Sequence, residues 1–317
     1  MGKVLAYYAL PHPPIVIPEV GRGEEYAIRN TSDAFDRVSQ EIADLKPDTI
    51  IIITPHGPLF RDAIALTLEN FISGDLRKFG VPQVALQYKV NRELTERIYV
   101  LSEDAGIPCV QITHETSRQY GVSCELDHGS MVPLYFVNRR YAGCSLVHIT
   151  YGLLSKIQLY RFGMHIRKAV EDSSANAVVI ASGDLSHRLI KDGPYEYSPY
   201  GVLFDREIRS LLEKGDAAGV FSMEPRMVKE AGECALNSYY ILLGAMDGYD
   251  WKGITYSYEG VFGVGYLVIK FDINEYSEGT KDILTKIINQ ETGRFSKGSQ
   301  SKDPYIRLAR ESLMYYI

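Results

Sequence analysis

Two histidines occur in nearly the same sequence setting, and that repetition is the first chemical signal in the chain. His12 follows an apolar run in Leu10-Pro11-His12-Pro13-Pro14, and His56 follows another in Thr54-Pro55-His56-Gly57-Pro58. Proline fixes φ and removes a backbone donor, so each imidazole is carried on a stiffened turn just past a buried strand. If the two strands are neighbours, both rings point into one crevice and supply the first two ligands of a metal ion. A third segment has the same placement, with the run Ala177–Ser182 leading into Gly183-Asp184-Leu185-Ser186-His187. Asp184 and His187 can face one site across that turn, as ligands or with His187 moving protons near neutral pH. The plainer alternative is that Asp184 caps the turn and His187 lies on the surface. In Glu125-Leu126-Asp127-His128-Gly129-Ser130, Asp127 reads as a helix cap and His128 as a residue able to meet an anionic ligand at the helix N-terminus. Glu233 and Cys234 open an otherwise apolar helix, where either is a metal ligand or simply a favourable feature at the positive end of that helix. His114, His148 and His165 lack a strand end with a turn and read as structural.

These side chains need strands to carry them, and the pattern supplies strands and helices in alternation. Val4–Leu10 and the isoleucine run Thr49–Thr54 have the continuous apolar character of central strands buried on both faces. Between them Ala34, Phe35, Val38, Ile42 and Leu45 fall at helical spacing, opened by Thr31 or Ser32 as a cap. Further strands are expected at Ala63–Leu68, Ser145–Thr150, Ala177–Ser182, Thr255–Tyr258 and Gly263–Lys270. Helices are expected at Asn91–Ala105, Gly129–Arg139, Ser155–Glu171, Pro199–Lys214, Asp216–Met223 and Gly232–Met246. The fold class is therefore α/β, a mostly parallel or mixed central sheet with helices on both faces. The catalytic domain spans residues 1–272. Residues 273–302 are expected to hold a helix over Ile273–Asn289 and then a Ser/Gly/Lys-rich flexible linker, and residues 303–317 are expected to begin a second, truncated domain, the alternative being a terminal helix that docks back on the core.

Composition narrows the function classes. A net charge of −6 without Lys/Arg runs gives no basic face for nucleic acid. No apolar stretch approaches the roughly 20 residues that span a bilayer. Prolines stand where a signal peptide would need its cleavage site. The four cysteines have no CxxC spacing, so a reducing cytoplasm is the simpler setting.

Taken in order, "LPHPP" around His12, "TPHGP" around His56, "ELDHGSMVPLYF" around His128, "ASGDLSH" at 181–187 and "AGECALNSYYILLGA" at 231–245 resemble the LigB superfamily of class III extradiol dioxygenase catalytic subunits. The resemblance runs over about residues 3–271 and is nearest to the Memo-like branch, in particular the AmmeMemoRadiSam system protein A group. The tail "DPYIRLARESLMYYI" resembles the opening of an AMMECR domain. This resemblance implies a non-haem Fe(2+) centre with His12 and His56 as ligands and Glu233 as the candidate carboxylate. It implies His187 as acid/base near substrate and oxygen and His128 as a substrate contact or a residue that supports the ligands from behind, with Asp184 beside them. The chain departs from the ring-cleaving pattern at the third ligand, since Cys234 stands beside Glu233 and the Memo-like branch has a cysteine near this point. A thiolate favours softer ions such as Cu(I) or Zn(2+). The resemblance thus implies an extradiol oxidoreductase acting on a catechol or aminophenol. Its alternatives are a Memo-like metal protein without ring cleavage, working with a radical SAM partner and its own AMMECR domain, and a zinc-type hydrolase. The partner would be a small aromatic molecule, and a homo-oligomeric assembly is compatible with all three.

Overall fold

In the computed structural model the described residues are 1–193, 195–276 and 283–289, with 303, 305, 306 and 308 beyond them. Among the described residues there are ten strands: β1 (Lys3–Leu10), β2 (Thr49–Thr54), β3 (Ile64–Thr67), β4 (Phe71–Leu76), β5 (Val81–Lys89), β6 (Cys109–Ile112), β7 (Ser145–Thr150), β8 (Asn176–Ser182), β9 (Tyr249–Glu259) and β10 (Tyr266–Tyr276). Eight form one sheet in the order β6-β3-β7-β2-β8-β1-β10-β9, and β4 pairs with β5 in a separate hairpin. The middle of the large sheet is parallel, β7-β2-β8-β1, and antiparallel pairs join β10 to β1 and β9 to β10.

Successive strand side chains point to opposite faces, and the isoleucine run of β2 shows what this does. Ile51 and Ile53 pack with the helices Arg92–Asp104, Lys156–Glu171, Pro199–Lys214 and Leu236–Ala245. Ile50 and Ile52 pack on the other face with Arg29–Leu45 and His128–Arg140. All four isoleucines are fully buried, because a central parallel strand covered on both faces has no solvent side to spend on polar residues. This rigid double-covered core fixes the carboxyl ends of β1, β2 and β8 side by side.

Several boundaries differ from the sequence pattern for identifiable reasons. The helix expected from Thr31 starts at Arg29, and Thr31 is not its cap. Instead the Thr31 amide and hydroxyl both donate to the Glu259 carboxylate, at 2.7 and 2.6 Å, so a strand far along the chain satisfies this helix end. The helix expected from Gly232 begins at Leu236. The helix expected from Ile273 is preceded by more strand. β10 continues to Tyr276 because Ile273 and Asn274 still pair with Trp251 and Asp250 of β9, and the helical residues are 283–289, with Ile287 buried in the core. The expected linker and second-domain start lie outside the described residues, apart from the four isolated positions. The β4–β5 hairpin has no strand signal in sequence, since Gly74, Asp75 and Pro82 are poor strand formers. It holds through Ile72, Leu76, Val81 and Tyr88, which pack on the face that carries His128–Arg140. Gly80, at φ 79°, makes the tight turn at its tip.

Candidate metal centre

The parallel strands β2, β8 and β1 are adjacent, so the residues just past their ends converge. His12 comes from β1, His56 from β2 and Asp184 from β8. His12 Nε2 and His56 Nε2 are 3.0 Å apart, with the rings edge to face at 4.7 Å. His128, the first residue of its helix, stacks on His56 at 4.2 Å and meets His12 edge-on at 5.4 Å. Ligand atoms of these three histidines all lie within 4.8 Å of one another.

The hydrogen bonds decide which nitrogens are free. The Ser182 hydroxyl donates to the Gly129 carbonyl at 2.5 Å, which uses its only hydrogen. Its oxygen then accepts from His12 Nδ1–H at 2.9 Å, leaving the lone pair of His12 on Nε2, the atom facing His56. Burial, then the neighbouring His56 and His128, hold His12 well below the ordinary histidine pKa. His56 is brought down to about 4 by burial and then by His128. Neutral imidazoles with inward lone pairs are what a metal ion requires, and two bonds of about 2.1 Å meeting near a right angle span the observed nitrogen separation. The donor set fits a divalent ion.

Asp127 is the hub that fixes this geometry. It caps the His128 helix through the Ser130 amide, at 3.2 Å, and accepts from the Thr54 hydroxyl at 2.6 Å, from Ser130 Oγ at 3.1 Å and from His148 Nε2 at 3.2 Å. Burial alone would raise its pKa, but the hydrogen bond from His148 and that from Thr54 hold it well below the carboxylate range. With Nε2 donating, His148 Nδ1 accepts from Thr67 Oγ1 at 3.0 Å. His148 therefore belongs to the support of the site, although it lies inside β7 without the strand end and turn that mark His12 and His56. The signal was a lone polar ring in an apolar strand, which must find buried partners.

On the opposite wall, Asp184 Oδ1 accepts the His12 amide at 2.7 Å and Oδ2 lies 3.8 Å from His12 Nε2, with burial pushing the carboxyl up to about 7. Cys234 Sγ is 3.6 Å from His12 Nε2. Glu233 and Cys234 precede the Leu236–Ala245 helix instead of lying on it, so they need not diverge by the angle of a helical step. Glu233 spends its carboxylate on the Leu236 amide, at 2.7 Å, at the start of that helix. Among the described residues neither Glu233 nor Cys234 is part of the histidine cluster. His187 Nδ1 lies against the Gly232 carbonyl, an acceptor only, so Nδ1 carries the proton and Nε2 the lone pair. Burial lowers the His187 pKa. A cavity of about 530 Å³ opens onto His56 and His128, walled by Pro58, Leu59, Phe79 and Val122.

Residues 6–269 match the family described as the catalytic LigB subunit of aromatic ring-opening dioxygenase. The chain belongs to the LigB family. It is 50% identical over 98% of its length to protein CA_C1420 of Clostridium acetobutylicum, and it spans 66% of that relative's length. It is 25% identical to the 3,4-dihydroxyphenylacetate 2,3-dioxygenase of Escherichia coli, covering 80% of this chain and 94% of that one. It is 22% identical to the 2-aminophenol 1,6-dioxygenase beta subunit of a Pseudomonas species, covering 86% and 95%. The fold is shared with the crystal structure of an uncharacterized protein of Escherichia coli K12, at TM-score 0.57 and 15% identity, over 84% of this chain and 98% of that one. The mixed sheet with helices on both faces is thus the LigB-type architecture. Among the described residues no helix is long and apolar enough to cross a membrane.

Proposed function

We propose that this LigB-family chain is an extradiol-type oxidoreductase that binds Fe(2+) through His12 and His56 and acts on a catechol or aminophenol. The observation that carries the reading is the His12–Ser182–Gly129 chain, which turns the Nε2 lone pair of one neutral imidazole toward the other at 3.0 Å. The ion, when bound, supplies the place where an ortho-dihydroxy substrate and dioxygen meet. His128 stacks on His56 at the cavity wall and orients the ring that enters. His187, with its Nδ1 hydrogen held by Gly232, offers Nε2 to take a hydroxyl proton from the substrate. Asp184, buried and with its pKa near 7, can hold a proton beside His12. Pro58, Leu59 and Val122 give the cavity an apolar wall for the ring.

A second reading is favoured by one observation: Cys234 Sγ faces His12 while Glu233 is turned to the helix amide. A thiolate third ligand suits a Memo-like metal protein without ring cleavage, acting with a radical SAM protein. Anaerobic loading with Fe(2+), followed by dioxygen uptake with catechols, separates the two. Ring-cleavage turnover that is lost in His12→Ala and kept in Cys234→Ser supports the oxidoreductase. Stable metal binding without dioxygen consumption, lost in Cys234→Ser, selects the second.

A further inference from the structure

Asp205 is an acid on the buried face of the helix Pro199–Lys214, which otherwise carries Phe204, Ile208 and Leu212 into the core. It is 1% exposed, and a buried carboxylate is costly unless its oxygens accept hydrogen bonds from donors that need them. Oδ1 accepts the Ser186 amide at 2.9 Å, and Oδ2 accepts the Tyr258 hydroxyl, from β9, at 2.7 Å. Arg209, one turn further along the helix, lies over the Tyr258 ring at 4.3 Å. Gly265 leaves room for this carboxylate, since a Cβ there would run into Asp205 Oδ2.

The amide that Asp205 holds belongs to the residue just before His187. Ser186 has every polar atom engaged: its carbonyl accepts the Gly265 amide at 2.8 Å, its hydroxyl donates to the Ala231 carbonyl at 2.9 Å, and the Arg188 amide donates to the hydroxyl oxygen at 3.0 Å. The His187 amide donates to the same Ala231 carbonyl at 3.1 Å, and the ring Nδ1 lies against the next carbonyl, that of Gly232. A ring held in this way is close enough to His12 and His56 for a charge on it to disfavour protonation of both. The other groups that grip Ser186 are backbone atoms, so Asp205 is the side chain through which the grip can be altered.

We propose that Asp205, braced by Tyr258, is the positioning residue of His187, fixing its turn so that the ring keeps its proton on Nδ1 and offers the Nε2 lone pair to the site. The proposal rests on the reading of His187 as the group that takes a substrate proton. Neither Asp205 nor Tyr258 is part of the histidine cluster, so the effect reaches the chemistry without passing through the metal ligands. Without the carboxylate the buried Ser186 amide loses its acceptor and the turn relaxes to find another. An imidazole released from Gly232 is then free to carry its proton on either nitrogen.

The metal-free full-length protein gives the first readout, the long-range nitrogen–proton spectrum of the imidazoles, with the His187 signals assigned through His187→Gln. Wild type shows the Nδ1–H tautomer, Asp205→Ala replaces it by a mixture, and Asp205→Asn, whose amide oxygen keeps the Ser186 amide, restores it. Tyr258→Phe removes one hydroxyl only and moves the ratio in the same direction, so it decides the matter if Asp205→Ala does not fold. Anaerobic loading with Fe(2+) gives the second readout, dioxygen uptake with 4-methylcatechol and 2-aminophenol. In Asp205→Ala kcat falls about 100-fold, as a misplacement of about 1 Å produces, while KM and the Fe(2+) affinity from chelator competition stay within about threefold. Asp205→Asn recovers kcat to within about threefold, and in the His187→Gln background Asp205→Ala costs less than about threefold more, because it acts through the same ring. An unchanged tautomer, or losses that add in the double variant, overturns the inference and leaves His187 as the proton acceptor. A wild type that takes up no dioxygen removes the oxidoreductase reading, and the tautomer then decides the inference by itself.

Discussion

Replacing Ser182 with alanine tests the tautomer argument directly. Ser182 is fully buried, and its oxygen stands between the Gly129 carbonyl, at 2.5 Å, and His12 Nδ1, at 2.9 Å. The substitution leaves one buried acceptor and one buried donor without partners, at about 1–3 kcal/mol each, so the apo protein should lose about 2–6 kcal/mol in urea unfolding. The sharper effect falls on the metal. Without an acceptor at Nδ1, His12 is free to carry its proton on Nε2 and must move it before binding, and loss of such a supporting hydrogen bond weakens metal affinity about 10–100-fold. Anaerobic competition between the protein and a chelator of known Fe(2+) affinity reads this out, alongside unfolding of the apo form. A stability loss of the expected size with metal affinity within threefold of wild type would refute the reasoning, because it would mean that Ser182 supports packing but does not set the tautomer.

Three further outcomes follow from the same geometry. Asp127→Asn should destabilise by about 2–3 kcal/mol in urea titration, since the amide oxygen can keep the Thr54 hydroxyl and the Ser130 amide while the amide nitrogen that replaces Oδ2 cannot accept from Ser130 Oγ and His148 Nε2, and metal affinity should fall with it. Gly129→Ala places a methyl 2.5 Å from Thr54 Oγ1, 2.8 Å from Asp127 Oδ1 and 3.3 Å from His56 Cδ2, so it should weaken metal binding at least about tenfold by the chelator assay while far-ultraviolet circular dichroism stays native. Asp205 is buried between the Ser186 amide and Tyr258 Oη, and burial raises its pKa to about 7. Between the ordinary carboxylate pKa and about 7 the folded chain therefore keeps a proton that the unfolded chain has released, and stability falls as pH rises through that window. Asp184 and Glu233, raised for the same reason, act with the same sign. Asp205→Asn should flatten the slope of unfolding free energy measured from pH 4.5 to 7.5, and an unchanged slope would remove Asp205 from the account.

The parts legible in sequence are those where a residue type answers to its immediate neighbours. Ile50–Ile53 announces a doubly covered strand because every position is apolar, and a proline beside His12 and His56 announces a turn at the strand end. What was hidden depends on contacts across the chain. His148 looks like a stray ring in β7 until Asp127 and Thr67 are seen on either side of it. Glu233 and Cys234 cannot be told apart by spacing, and only the loop before Leu236 turns one to an amide and the other toward His12. Thr31 carries a capping residue type, yet its partner is Glu259, more than two hundred positions away. The hairpin tip that walls the cavity arises from a segment whose glycine, aspartate and proline argue against strands, and packing by Ile72, Leu76 and Val81 overrides that preference.

The position of β8 between β1 and β2 has a consequence for the order of events during synthesis. His12 and His56 emerge from the ribosome early, but the strands that carry them are not neighbours; each pairs with β8, whose residues begin at Asn176. Until β8 has been made and inserted, the two imidazoles have no common scaffold, and Ser182, which orients one of them, does not yet exist. Such long-range parallel pairing is slow to form. A nascent chain would therefore hold two separate histidines with little claim on an ion, and capture of the metal would come late, as a chemical record that the central sheet has closed in the right order.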